Sequence, residues 1–595
     1  MFRETVSRFG DRQAVGFRKD KNSEIEYWSY VEVDRRVHEI RRAMDAIGLK
    51  SGDCIAILSE NRVEWVLIDL AAQSLGVIVA APYSSLPTQQ AGYIVRDCGA
   101  KALFCSDNKQ VKKASEFASN CPDLVNIVSM DPLTDSSEPG KMYSLDALVE
   151  RGKSEGRAEE DLELLSSKVD PNQTALYIYT SGTTGEPKGA MLSHLNMLQT
   201  PDAVVDEPIA EIGPDDQFLS FLPLSHITER VGGYYLPLRV GACIIFSLGL
   251  SQIGQEITES VRPTCMLCVP RIFENLHSRF LDSVGKLEAK QRARIEWGLK
   301  AGTRAAQTKS NGRKPGIILA LQALIAEKLI LSKIRQKVTG GRIRFFVSGG
   351  APLDIETATF FLAIGIDILE GYGLSETNII AINRPGRQRI GTVGTLLPNV
   401  EVHLADDGEI LMRGQGRMLG YFDRPKETAE AIDVDGWFHT GDIGELSADG
   451  YLKITDRKKD IIVLTNGKKV APQPIEALLK QSPYIGESVL FGDGQSTVMA
   501  LLVPAFVKLV EWAKEKELPC GDVSQLVNSV EVQKLMKSEI DRLTPSLADF
   551  EKIKRFRLLD KPFSIESGEL TPTLKVKRKY VAEKYAEVIS GMART

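Results

Sequence analysis

The chain has 595 residues, with 74 Lys and Arg against 79 Asp and Glu, giving a formal charge of −5 and a pI near 5.9. At roughly 100–200 residues per domain this length predicts more than one domain, and 43% hydrophobic with 26% charged residues excludes collagen-like, disordered and disulfide-scaffold classes. The near balance of charge gives no global case for a nucleic-acid partner, which calls for a basic domain.

From Met1 to Gly10 acids and bases mix without an apolar run, so no signal peptide is expected. Helical spacing covers Val31 to Ile47, a short strand Cys54 to Leu58, a helix Glu64 to Leu75 and a strand Val77 to Ala80. Such alternation predicts parallel α/β sheets with crossover helices, an architecture that binds nucleotides at strand ends. Cys265 and Cys268 form the one C-x-x-C, inside an apolar run from Pro263 to Pro270; on a strand, positions three apart face opposite sides, so a core strand is expected rather than a metal site. Eight irregularly spaced cysteines suit a reducing compartment, and a cytoplasmic setting is expected.

Between Gly285 and Gly341 lies a helical stretch rich in Lys and Arg, interrupted by a Gly- and Pro-containing turn from Lys309 to Gly316, which has the look of an insertion. Its apolar segment, Gly316 to Ala326, is about half of the roughly 20 residues needed to cross a bilayer, so no transmembrane helix is expected. Two readings stay open for it: a helix packed on the large domain, or peripheral contact with a membrane surface. Ala405 to Gly408 and Ser447 to Gly450 carry turn chemistry between short β runs and predict hairpins in a small β-rich region. After the charged junction Thr455 to Asp460, a fresh α/β pattern occupies the remaining residues.

The sharpest local signal is Tyr177-Ile-Tyr-Thr-Ser-Gly-Thr-Thr-Gly-Glu-Pro-Lys-Gly189. An apolar strand ends in glycines and hydroxyl residues whose N–H groups and side chains suit a polyphosphate, Lys188 adds a point charge, and an apolar helix is expected after the loop. The Walker pattern is not satisfied. Gly349 and Gly350 would let the backbone approach a flat base, Tyr372 offers a stacking face, and Glu376 is a hard oxygen ligand suited to Mg2+.

Thr180 to Gly189 resembles the phosphate loop of the adenylate-forming (AMP-binding) superfamily, and further motifs follow in the family's order. Phe345 to Leu353 resembles its adenine-side strand and turn, Gly371-Tyr-Gly-Leu-Ser-Glu-Thr377 its second nucleotide motif, and Gly436 to Asp442 its ribose-binding turn. The Phe221 to Arg230 block and Leu570-Thr-Pro-Thr-Leu-Lys-Val-Lys-Arg578 are similar to those of long-chain fatty acyl-CoA synthetases, including the bubblegum type, with Leu574 where most of the superfamily has glycine. The resemblance implies an α/β fold: a large N-terminal domain of parallel α/β subdomains with a small β-rich subdomain, residues 1–458, then a small mobile α+β C-terminal domain, residues 459–595. It implies that Thr180, Ser181, Gly182, Thr183, Thr184, Gly185, Gly349, Gly350, Ala351, Glu370, Gly371, Tyr372, Gly373, Ser375, Asp442 and Arg457 bind ATP and AMP. Lys575, Lys188, His226 and Glu376 serve catalysis, Lys577 being the rival to Lys575; Glu376 and Thr180 attend Mg2+, and Lys459 is the hinge.

The implied reaction joins a long-chain fatty acid to coenzyme A with ATP through an acyl-adenylate, releasing AMP and pyrophosphate. Two other outcomes are an acyl-AMP ligase that loads a carrier protein and an inactive nucleotide-binding scaffold. No carrier-attachment motif follows the ligase motifs, and the retained polar residues weigh against the scaffold.

Overall fold

The computed structural model describes residues 1–134, 142–180, 186–207, 209–310, 313–571 and 575–594. Its chain divides into two compact units: Met1–His403 with Leu411–Thr440 and Leu446–Leu452, and Leu404–Ile410 with Gly441–Glu445 and Lys453–Thr595.

The first unit holds two large sheets. One has the strand order Thr395–Leu396, Asn378–Ile382, Asp367–Leu374, Phe345–Ser348, Cys265–Cys268, Gln217–Ser220, Cys243–Phe246, Gln13–Phe17, Glu26–Ser29. The other runs Gly420–Tyr421, Lys188–Ser193, Thr174–Thr180, Ile78–Ala80, Cys54–Leu58, Ala100–Cys105, Asn126–Ser129, Met142–Ser144. Both are parallel at their centres and antiparallel at an edge, as the alternating pattern predicts. The helix Tyr30–Ala46 starts at a capping box in which the Ser29 hydroxyl accepts from Glu32 N–H while the Glu32 carboxylate accepts from Ser29 N–H, a device worth about 1 kcal/mol. It then buries Val33, Val37, Ile40 and Met44 at helical spacing.

One core draws on both sheets, gathering Val15, Ile244 and Phe246 from the first and Ile55, Ile57, Val79 and Phe104 from the second around Trp65 and Tyr234. Inside it Arg230 pairs with Asp69, both fully buried. Tyr234 and Tyr235 donate their hydroxyls to Asp69 Oδ2 at 3.0 and 3.1 Å, and the Arg230 guanidinium lies 4.7 Å over the Trp65 ring. Asp69 and Trp65 sit on the helix Val63–Ser74, and Arg230, Tyr234 and Tyr235 on the π-helical turn Glu229–Tyr235. The π turn closes i→i+5 bonds, a geometry that tends to mark functional segments.

Next to this pair, Glu229 is buried with neither carboxyl oxygen in a well-formed hydrogen bond. Burial pushes its carboxyl up to about 8, offset only in part by the nearby Ser220 hydroxyl. Cys265 and Cys268 are buried on their strand, and burial raises both thiols, so the core-strand expectation for this C-x-x-C describes them.

One local expectation is corrected. After Pro187 the chain forms the strand Lys188–Ser193, antiparallel to Thr174–Thr180, and only then the helix His194–Asp206 capped by the Ser193 hydroxyl. Ala190, Leu192 and Ser193 are buried in sheet geometry, and sheet pairing overrides the apolar run's helical reading. In the insertion, the helices Ala289–Ser310 and Ile317–Ala326 are followed by the π turn Glu327–Leu331 and the helix Ser332–Thr339. Gly298 and Gly302 allow the first of these helices to close on Ile330 and on the Ala363 carbonyl.

In the second unit the strands Ile485–Phe491, Val498–Pro504 and Ile553–Leu558 form a mixed sheet. It packs with the helices Pro472–Leu479, Phe506–Glu515 and Val530–Leu543 around Leu490, Leu502, Leu509 and Ile540, an α+β arrangement. The turn Ala405 to Gly408 closes with Gly408 N–H on the Ala405 carbonyl at 2.8 Å, Gly408 adopting φ +85°. Ser447 to Gly450, in the first unit, closes the same way at 2.9 Å. Both hairpin expectations describe these turns.

Two stability outcomes follow from the core. Asp69→Ala strands Arg230 without its counter-charge and is expected to cost about 3–5 kcal/mol in denaturant unfolding; a loss under about 1 kcal/mol would contradict the reading. Glu229 has a folded pKa above its unfolded value of 4.5, so its stability contribution is full below pH 4.5 and is lost as pH rises toward 8. Glu229→Gln should therefore stabilise the protein by about 3 kcal/mol at pH 7 and by nothing near pH 4, as read from unfolding at the two pH values.

Candidate active site

In the first unit, Thr180 ends its strand directly opposite Lys188. Ser181, Gly182, Thr183, Thr184 and Gly185 lie outside the described residues. The exit of the loop is braced: Tyr93 donates its hydroxyl to the Pro187 carbonyl at 3.3 Å, Tyr179 donates to Asp97 at 2.7 Å, and Arg424 pairs with the same carboxylate at 3.0 Å.

The Lys188 ammonium sits 5.4 Å from the centre of the Tyr421 ring, and the Tyr421 hydroxyl donates to Glu376 Oε1 at 2.9 Å. Tyr421 thus connects the exit of the loop to the second nucleotide motif. It is held in place because the edge strand Gly420–Tyr421 pairs with Ala190 and Met191. Glu376 is fixed on its backbone side too, its carbonyl accepting from Met418 N–H at 2.6 Å. Burial and the Glu376 charge raise the Tyr421 phenol, so it stays a proton donor. Neither Tyr421 nor Asp97 belongs to a motif singled out in the sequence; an isolated Gly-Tyr after Arg-Met-Leu carries no signal of its own.

Ser348 and Glu370 face each other across parallel strands, and Gly349, Gly350 and Ala351 follow at the strand's end. Gly350 has φ +86°, a conformation that favours glycine. A methyl at Gly349 would meet only Thr228 and the Gly371 carbonyl at ordinary contact distance, so packing does not require glycine there. At Gly373 the reverse holds, since a methyl would fall 1.9 Å from the Asn378 carbonyl, where the strand bulges after Tyr372. Gly371 and Tyr372 pair with Ile382 and Ala381, and Ser375 lies half-buried in the turn that follows. Burial lifts the Glu370 carboxyl to about 7 against the N–H groups of Leu353 and Gly391.

His226 lies on the turn before the π segment. Its Nδ1 accepts from Thr228 N–H at 3.2 Å, which leaves the ring proton of the neutral form on Nε2. Asn61 holds this turn, donating to the Leu222 carbonyl at 2.6 Å and accepting from Leu224 N–H at 2.8 Å. Thr228, two residues on, lies against Gly349, so the histidine turn and the glycine turn are neighbours.

In the second unit, Arg457 Nε lies 3.1 Å from Asp442 Oδ1, and Asp442 is buried. Lys458 pairs with Asp407 at 2.6 Å and Glu409 at 2.8 Å, and Glu409 accepts from Gly441 N–H at 2.9 Å. Lys459 follows at an exposed position. Lys575 donates its backbone N–H to Thr571 Oγ1 at 3.0 Å, and Leu570 bridges to Val576. Three residues on, Arg578 grips both oxygens of Glu476 at 2.8 and 2.7 Å. Lys577 occupies the cap of the helix Arg578–Lys584. The Lys575 residue keeps exposed surface, yet loss of hydration at its ammonium, then the Arg457 charge, bring it down to about 8, with Asp442 opposing. Lys575, Arg457 and Asp442 thus share one electrostatic neighbourhood.

The comparison with known proteins agrees in length as well as in motif. A family model described as AMP-binding enzyme matches residues 2–422, and one described as AMP-binding enzyme C-terminal domain matches residues 459–594. The long-chain-fatty-acid–CoA ligase FadD15 of Mycobacterium bovis is 32% identical over 575 residues, covering 95% of this chain and 92% of that protein. The long-chain-fatty-acid–CoA ligase ACSBG1 of Mus musculus is 31% identical over 626 residues, covering 99% and 85%. Among solved structures, the adenylation domain of a carboxylate reductase from Mycobacterium chelonae matches with a TM-score of 0.76 at 24% identity, over 100% of this chain and 90% of that one. ATP-bound MatB from Rhodopseudomonas palustris matches at 0.70 and 22%, over 99% of each. The structures share the fold; the sequences and the family models share more, and by them this chain belongs to the AMP-binding enzyme family.

Proposed function

We propose that the protein is an AMP-forming long-chain fatty acid–CoA ligase. The observation that carries this reading is the convergence of Lys188 and Glu376 on Tyr421 at the exit of the phosphate loop, in a chain whose relatives over nearly its whole length are ligases of that name. A carboxylate is a poor acyl donor because its leaving group would be oxide. Its attack on the α-phosphorus of ATP releases pyrophosphate and gives an acyl-adenylate, from which the coenzyme A thiol displaces AMP.

Each step asks the protein for position and charge rather than for a covalent nucleophile. Lys188 and the hydroxyls of Thr180, Ser181, Thr183 and Thr184, with the backbone N–H groups of Gly182 and Gly185, would hold the phosphates. Gly349, Gly350 and Ala351 with Tyr372 would receive the adenine, the space for a methyl at Gly349 fitting the close approach of a flat base. Glu370, Gly371, Gly373 and Ser375 would frame the nucleotide, and Asp442 with Arg457 would take the ribose hydroxyls. His226, its proton on Nε2, would orient the fatty carboxylate by hydrogen bonding. For Mg2+ the donors fit in kind: Glu376 offers a hard oxygen ordered by Tyr421, and Thr180 a hydroxyl. When bound, the ion offsets polyphosphate charge.

Lys575 would stabilise the charge that develops as pyrophosphate leaves. A lysine needed only for adenylation belongs on a domain that can withdraw, residues 459–595 turning about Lys459. Lys575→Ala should abolish ATP–pyrophosphate exchange while sparing thiolysis of supplied acyl-adenylate, and normal exchange would sink the assignment. Because an ammonium near pKa 8 loses its proton as pH rises, adenylation should decline above pH 8. Lys575→Arg, which stays charged, should flatten that alkaline limb in a pH–rate profile. Tyr421→Phe removes one hydrogen bond to a carboxylate, worth about 1.5–3 kcal/mol, and should lower kcat/KM for ATP at least tenfold or so; a rate equal to the parent's would refute the link.

A further inference from the structure

The helix Ile317–Ala326 exposes its apolar side chains instead of burying them. Ile317 is 90% exposed, Ile318 77%, Leu324 59% and Leu321 57%, with Ile325 also exposed. At about 100° per residue these five fall within one face roughly 120° wide. The helix is nonetheless fixed to its unit: Ala326 is fully buried, Ile330 and Leu331 of the π turn that continues it sit in the core, and both contact the glycines of the helix Ala289–Ser310. A stable, outward-facing patch of this kind calls for a partner. The helix thus packs on its unit with one side and leaves the apolar face uncovered, which favours the second of the two readings open from sequence for that face.

Charge chooses the partner. From Ala289 to Thr339 there are twelve Lys and Arg against two acids, Glu296 and Glu327, a local charge of +10 in a chain whose total is −5. Glu327 is paired internally with Arg335. Lys309, Arg313, Lys314 and Lys328 are exposed and flank the apolar face at both ends. A second copy of the chain would bring like charge against like charge. A lipid surface bearing anionic headgroups satisfies both features, since it takes apolar side chains at the acyl boundary and cations among the headgroups.

We infer that the face formed by Ile317, Ile318, Leu321, Leu324 and Ile325, with Lys309, Arg313, Lys314 and Lys328 around it, docks the protein on an anionic lipid surface. The helix has 10 residues, and among the described residues no helix is long and apolar enough to cross a membrane, so the contact lies in the plane of the surface. Its benefit, delivery of a water-insoluble acid from the bilayer in which it partitions, rests on the ligase reading above; the docking itself does not.

The test is co-sedimentation of the full chain with vesicles of phosphatidylcholine alone and of equal parts phosphatidylcholine and phosphatidylglycerol. Binding is expected to the mixed vesicles only and to weaken with added salt. Leu321→Asp with Leu324→Asp, both at exposed positions, should reduce vesicle affinity by roughly tenfold or more. The pair Arg313→Glu with Lys314→Glu should do the same while leaving the apolar face intact. Both variants should match the parent in AMP release on a soluble medium-chain acid without vesicles. Failure of the parent to bind mixed vesicles, or undiminished binding by both variants, would overturn the inference. So would a change of oligomeric state in the Asp variant with vesicle binding unaltered, which would make the face a contact between copies. Absence of AMP release with every acid would instead defeat the ligase reading and leave the vesicle result standing.

Discussion

The first unit depends on one charge pair that water never reaches. Placing Arg230 and Asp69 in an apolar core costs hydration that their mutual attraction repays only when the remaining donors and acceptors are also met. Here two tyrosine hydroxyls meet the carboxylate and the Trp65 face lies against the guanidinium, while Arg230 Nε and Nη1 stay buried without a hydrogen-bond partner among the described residues, so the pair is met on the acid's side more fully than on the base's. The consequence is geometric. A helix of one sheet's layer and a π turn beside the other are locked in a single register, and the turns carrying His226, Thr228 and, through Thr228, Gly349 inherit that register. An apolar substitute of the same volume would pack, but it would lack the directionality that fixes which residue of the turn faces which strand.

Tyr421 does for the phosphate side what Asp69 does for the core. A lysine and a glutamate proposed to act on one polyphosphate would be poorly served by a direct salt bridge, which would neutralise each with the other. The aromatic ring accepts the cation on its face and the hydroxyl gives its proton to the carboxylate. Both charges are held near one aromatic ring. This suits a reaction whose barrier is mostly electrostatic and whose chemistry requires no protein nucleophile.

The legible part of the site was the part written contiguously. A strand followed by hydroxyl residues and glycines, a Gly-Tyr-Gly run with an acid three residues on, and a lysine among basic neighbours each carry their chemistry within ten residues. The parallel sheets were legible for the same reason, through local period. What stayed hidden joins distant positions. Asp69 and Arg230 are 161 residues apart, Tyr421 and Glu376 are 45, and Asp97 and Arg424 are 327. No local pattern marks such residues, because their role is set by which strands become neighbours. The strand Lys188–Ser193, which comes between the loop and the expected helix, has no local signal because an apolar run of that length fits either period, and its pairing with Thr174–Thr180 decides.

Near-neutral composition also conceals an uneven distribution. Removing the segment from Ala289 to Thr339 from the total leaves the rest of the chain strongly acidic, and an acidic body is repelled by an anionic bilayer and by an anionic nucleotide alike. Both ligands therefore have to be met by local cations. For ATP the proposed cations are single residues at strand ends, Lys188 and Arg457 among them, where short distance would give them strength. For a surface, no single position suffices, because screening confines each exposed charge to about 8–10 Å, and a run of cations beside an apolar face is the form the solution takes. The same physics thus produces two different signatures in one sequence: point charges within motifs for the nucleotide, and a diffuse basic stretch for the lipid.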